Sequence, residues 1–286
     1  MVGLPDKPIP LTMSSQADTI RPALDWLTLL AVATVAHVAA SVVHEGLGHG
    51  GACLLVGCRP QLLTTMQFRG DETNLSRTGV TFIAAGGTLA NLLAAAVGAV
   101  SLRHRHERAK SGTFFLWLFT TINLLHATGY LAYSGVSSIG DWAEVGHGLA
   151  PRWLWRAALC LVGAGTYWLS THWAMSQLGE RLWYSGRSRV AEANRYTLTA
   201  YVVGGSLALL AGLFEPGGVL VVLISGVAAS LGGTSALAWG PQLLHDPRLG
   251  EHRERSLNIT RDWRWIVAGG VAAAVFVFVL GHGLAL

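Results

Sequence analysis

Charge is what this sequence has least of. Only 13% of its 286 residues are Asp, Glu, Lys or Arg, against roughly 25% in a soluble domain. Most of its apolar blocks also lack the polar stripe that a helix needs on a watered side. Together these absences exclude an ordinary water-soluble helical protein. Cysteine is scarce too. Cys53, Cys58 and Cys160 make no disulfide framework; Cys53 and Cys58 could lie close together where the first apolar block ends, but a disulfide between them is the less favoured reading. Residues 1–25 have no basic stretch leading into a short apolar core, so a cleaved signal peptide is not expected and the first span itself directs insertion.

What is present is hydrophobic length. Seven apolar blocks, at 24–57, 80–102, 113–134, 153–177, 197–214, 217–239 and 264–286, come close to or exceed the ~20 helical residues needed to cross a hydrocarbon core. They are read as helices because a lipid-exposed backbone must satisfy its own hydrogen bonds. The sequence therefore predicts an all-α fold, a polytopic transmembrane helical bundle of about six to seven spans. Its parts would be an N-tail over 1–23, a core over 24–150 with three spans and a Gly-Asp-Trp loop, and a C-terminal bundle over 151–286. Glu215-Pro216-Gly217 joins two of the blocks as a tight helical hairpin.

The basic residues are unevenly placed. All but five of the 20 Lys and Arg residues fall in the N-tail and the links 103–112, 178–196 and 240–264; the five are Arg59, Arg69, Arg77, Arg152 and Arg156. Basic links stay on the cytoplasmic side, so an integral multi-pass protein with a cytoplasmic N-terminus is expected, and loops 58–79 and 135–152 outside. No nucleic-acid partner is expected, since nothing beyond charge supports one. The partners expected are membrane lipid and a membrane-protein or peptide substrate, and a partner subunit would be unidentified.

The first block ends in Val43-His44-Glu45-Gly46-Leu47-Gly48-His49-Gly50-Gly51. Two histidines and a carboxylate in a membrane helix are costly to bury and point to function. The pattern is close to H-E-x-x-H, where two histidines hold zinc and the Glu is a general base, but the histidines are five apart. On a regular helix, at about 100° per residue, they would diverge by roughly 140°. A one-residue π-bulge among the glycines would realign them, leaving His44 and His49 as ligands and Glu45 as base. Two other arrangements stay open: Glu45 and His49 as the ligand pair with His44 in support, and a satisfied histidine cluster without metal. Catalytic zinc usually takes three protein ligands. Asp141, in Ser137-Ser138-Ile139-Gly140-Asp141-Trp142, is the third candidate; His126 and His147 compete with it. Ala84-Ala85-Gly86-Gly87-Thr88-Leu89-Ala90-Asn91 reads as a close helix-packing motif.

These three pieces resemble the site-2 protease family of intramembrane zinc metalloproteases, whose pattern is H-E-x-x-H on one span, G-x-x-x-N on the next and an Asp on a later element. The counterparts are His44-Glu45-Gly46-Leu47-Gly48-His49, Gly87-Thr88-Leu89-Ala90-Asn91 and Gly140-Asp141-Trp142. The resemblance covers residues 24–150 and looks like that of a smaller, core-only relative in a bacterial-type plasma membrane. It implies Zn2+ held by His44, His49 and Asp141, water activated by Glu45, and a substrate strand held with the help of Asn91 and Gly87. The rival classes are a non-proteolytic metal-binding scaffold or accessory subunit, a di-iron oxidase and a transporter with broken helices.

Overall fold

The computed structural model describes residues 24–104, 110–184, 186–246, 248–249 and 256–286. The N-tail 1–23, and the link residues Arg105, Arg108, Arg253 and Arg255, lie outside the described residues.

The chain is mostly helical. Helix α1, Trp26–Leu55, starts where Asp25 caps it: the carboxylate accepts the Thr28 N–H at 2.9 Å and pairs with Arg261 at 2.7 Å. Its winding changes along its length, from α over Trp26–Val42 to π over Val43–Gly50 and back to α over Gly51–Leu55. Then Gly57, at φ +79°, reverses the chain, and the Cys58 N–H donates to the Cys53 carbonyl at 2.9 Å. That turn brings the two Cα atoms to 4.8 Å, within disulfide range, and Cys53 and Cys58 are joined. The pairing that the sequence left as the less favoured reading is thus formed, by this turn.

A hairpin follows, strands β1, Arg59–Leu63, and β2, Phe68–Asp71. Near the C-terminus strand β3, Leu284–Ala285, pairs antiparallel with β1, giving the order β2-β1-β3 and leaving β2 at an edge. This small sheet is absent from the sequence reading of the 58–79 link. Its strands are short and the register shifts between Pro60 and Leu62, so no sustained alternation marks them.

The remaining helices are α2, Arg77–His104; α3, Ser111–Ser137; a short α4, Asp141–Val145; α5, Arg152–Gly179; α6, Gly186–Gly212; α7, Val219–His245; and α8, Trp263–Leu280. Of these, α1, α2, α3, α7 and α8 are long and apolar enough to cross a membrane, which makes the chain an integral membrane protein. Helices α5 and α6 match them in length but are more polar. The turn between α6 and α7 is held by Glu215, whose carboxylate accepts from Gln67 at 2.5 Å and from the Gly217 N–H at 2.9 Å.

Helix α3 is central, packed against α1, α2 and α5. Phe114, Trp117 and Ile122 meet Leu29 and Val32 of α1 and Met175 and Leu178 of α5 in one buried cluster. The Trp117 indole donates to the Ala174 carbonyl at 2.8 Å, so the polar tip of this buried ring is satisfied. Outside, large apolar side chains stand exposed, Leu55 at 79% and Leu161 at 76%. Hydrocarbon solvates such a surface; water does not.

The contact that places the site is between α1 and α2. A Cβ on Gly48 would sit 2.5 Å from the Gly87 Cα, and one on Gly86 would sit 2.5 Å from the Gly48 carbonyl oxygen. The helices therefore cross backbone to backbone at the π-wound segment, as small residues allow in membranes.

Candidate metal centre

The π segment sets the geometry of the first two candidate ligands. Its wider turn brings residues five apart onto one side, and the His44 and His49 rings lie 4.9 Å apart, with their Nε2 atoms 3.3 Å from each other. Asp141 opens α4 just after α3. Its Oδ2 lies 3.4 Å from His44 Nε2 and 3.3 Å from His49 Nε2. Among the described residues this is the group of three whose ligand atoms could hold one ion. Glu45 is not in it, and neither are His126 or His147.

The surroundings determine what these atoms present to one another. The His49 Nδ1 lies 2.7 Å from the Ile83 carbonyl, which can only accept, so Nδ1 carries a proton and Nε2 is the nitrogen left to ligate. At His44 the Asn91 amide lies 3.1 Å from Nδ1. A His44 that ligates through Nε2 is protonated on Nδ1, and Asn91 then accepts through its Oδ1 with the amide turned about its axis. That oxygen is buried and otherwise without a partner. Burial pushes the Asp141 carboxyl up, but His49 and then His44 pull harder, and the group is held well below the usual carboxylate range. Two imidazole Nε2 atoms and a carboxylate oxygen converge on one point. Such a set is held together by positive charge between its members, either a metal ion or protons on the imidazoles. In a tetrahedral site with bonds of about 2.0–2.1 Å the ligand atoms lie ~3.3–3.4 Å apart, and the three separations here are 3.3, 3.3 and 3.4 Å. The residues fit a zinc-sized ion.

Gly87 makes room for this arrangement. A Cβ there would stand 2.5 Å from His44 Cε1 and 2.6 Å from His49 Nε2. Gly87 and Asn91, expected from the resemblance to help hold substrate, lie against the His44 and His49 rings, and Asn91 is fully buried. Neither lines the adjoining cavity.

That cavity, about 510 Å3, is bounded by His44, Glu45, His49 and Asp141 on one side and by Phe68, Arg69 and Gly70 of β2 on the other. Its size is in the range of a small-ligand or peptide site. Asp141 is fixed by contacts that carry no sequence signature. The Trp142 indole donates to Thr88 Oγ1 at 2.9 Å, the Trp155 indole donates to the Trp142 carbonyl at 3.0 Å, and Arg77 bonds Glu144 and the His147 carbonyl. His126 and His37 line a smaller cavity that also touches His44 and Glu45, and His147 lines another near the start of α5.

Compared with protein-family models, with curated proteins and with solved structures, the chain matches none.

Proposed function

We propose that this protein is an intramembrane zinc metalloprotease of the kind its three motifs resemble, hydrolysing a peptide bond within or beside the membrane. The observation that carries the reading is the convergence of His44, His49 and Asp141 on one point, beside Glu45 and a cavity bordered by an unpaired strand edge. Zinc bound by such a set supplies a Lewis acid that activates water and polarises a carbonyl.

The chain's own groups supply the rest. Glu45 accepts a proton as a water oxygen attacks the scissile carbonyl carbon, then delivers it to the nitrogen as the C–N bond breaks. Asn91 and the Ile83 carbonyl hold the two rings in orientation. An extended substrate segment pairs along β2, an edge strand whose Phe68, Arg69 and Gly70 line the cavity, in the manner of strand addition to a sheet edge. A substrate helix unwinds locally to do so, because helical amides are closed to attack.

The test is cleavage of a single-span peptide reconstituted with the purified protein in vesicles. Cleavage that a chelator abolishes and added zinc restores is the expected result. Zinc retained with no cleavage of any single-span substrate would replace this reading with the non-proteolytic scaffold.

We count α5 and α6 as spans as well, giving seven, with the N-terminus cytoplasmic by the distribution of basic residues. Single cysteines at Thr73 and Ser111, with the native cysteines removed, test the orientation. A membrane-impermeant thiol reagent added outside should label Thr73→Cys and spare Ser111→Cys; the reverse pattern would overturn it.

A further inference from the structure

A second cavity, about 270 Å3, lies between the end of α3 and the start of α5, against the loop that carries Asp141. It is lined by Ser134, Ser138, His147, Arg152, Trp155 and Arg156, and among the described residues no carboxylate lines it. Its electrostatics are one-sided. Helix α5 is 28 residues long, follows Pro151 without a side-chain cap and has no acidic residue in its first turn. Arg152 and Arg156 stand at that end, where the helix dipole already concentrates positive charge and disfavours cations. Arg156 is partly engaged, its Nε donating to the Gly135 carbonyl at 3.0 Å and its Nη2 to the Val136 carbonyl at 2.8 Å. Arg152 is exposed.

The independent sign of a ligand is Ser134. Ser134 lines the cavity, is 1% exposed, and its buried hydroxyl oxygen has no hydrogen-bond partner. Serine and threonine inside helices commonly bond back to the carbonyl one turn earlier, as Thr128 and Ser137 do on the same helix. A buried hydroxyl left unpaired is destabilising unless something else accepts its bond.

We propose that this cavity binds a phosphate group, presented by an anionic phospholipid headgroup. Phosphate oxygens accept from guanidinium groups, from a serine hydroxyl and from helix N-terminal amides, the donors gathered here. The volume is several times the ~30 Å3 share of one water. The lipid source follows from the rim. Val136, Trp153 and Leu154 are 70%, 67% and 55% exposed beside the cavity, an apolar shoulder for acyl chains with a tryptophan at headgroup level. Because Trp155 lines the cavity and donates to the Trp142 carbonyl, an occupied site braces the residue that follows Asp141. The inference holds whatever reaction the metal centre performs.

The test is native mass spectrometry of the purified full-length chain, delipidated and offered phosphatidylglycerol or phosphatidylcholine at equal concentration. Preferential retention of phosphatidylglycerol is expected. Ser134→Ala and Arg152→Gln should each weaken it about tenfold or more, the size of a hydrogen bond to a charged group. Arg248→Gln, on another link, should leave it unchanged. Ser134→Ala should not lower the melting temperature of lipid-free protein, since the hydroxyl removed had no partner. Inorganic phosphate, offered alone in a parallel arm, separates the sources: binding that Ser134→Ala abolishes, with no lipid preference, keeps the phosphate site and overturns the lipid. No preference in either arm, or equal losses from Arg152→Gln and Arg248→Gln with Ser134→Ala unaffected, would overturn the site.

Discussion

Glu45→Gln is expected to leave zinc content unchanged while lowering peptide hydrolysis by about 10²–10⁴-fold, the usual contribution of a general base. The amide has the shape of the carboxylate but cannot take a proton from water. Glu45 lines the same cavity as His44, His49 and Asp141 without belonging to the group whose ligand atoms lie within 4.8 Å of one another. Zinc content and cleavage measured on this one variant separate the two geometries left open by the sequence. Loss of zinc together with activity would make Glu45 a ligand. Full zinc with unaltered cleavage would leave it with neither role and end the proteolytic mechanism.

The second large effect is expected from a residue that has no functional group. Gly87→Val should lower zinc affinity by at least about 100-fold, beyond the ~10–100-fold typical of residues that support ligands from behind. The reason is steric. A Cβ at this position overlaps the ends of both imidazoles, and the two methyl groups of valine reach further, so the rings must rotate away from Asp141. Gly51→Ala in α1 is the control, since nothing lies within 4 Å of a Cβ there, and it should bind zinc as wild type does. Equilibrium zinc competition on the two variants in detergent decides the matter. Wild-type affinity in Gly87→Val would mean that the rings tolerate the valine and that the packed crossing does not set the site.

The parts of this molecule that were legible in its sequence are those where burial is expensive. His44, Glu45 and His49 stand out because such groups are costly to hold in an apolar span, and Asp141 because a third ligand was sought near them. The five-residue spacing of the histidines conflicts with a regular helix and so demands a bulge, and Val43–Gly50 is wound as a π-helix. The glycines before Asn91 announced a close helix crossing, and Gly48 meets Gly86 and Gly87 there.

What was not legible depends on partners distant in sequence. Thr88, Trp142 and Arg77 are residues of common type, and only the fold makes them the braces of Asp141. Asn91 was readable as a buried amide but not as the neighbour of His44, which is 47 residues away. The β2 edge is four residues long with no alternation to mark it, and the Cys53–Cys58 bridge depends on a single positive-φ glycine. Block lengths foretold helices at α5 and α6, while their polar content sets them apart from the other five.

Metal content of the purified protein tests the centre most directly. Elemental analysis should find about one zinc per chain in wild type. His44→Ala, His49→Ala and Asp141→Ala should each lose most of it while remaining folded by circular dichroism, because each removes one of the three ligands proposed for it. Wild-type protein free of metal under conditions that preserve zinc in a known zinc enzyme, or variants that keep a full complement, would contradict the site.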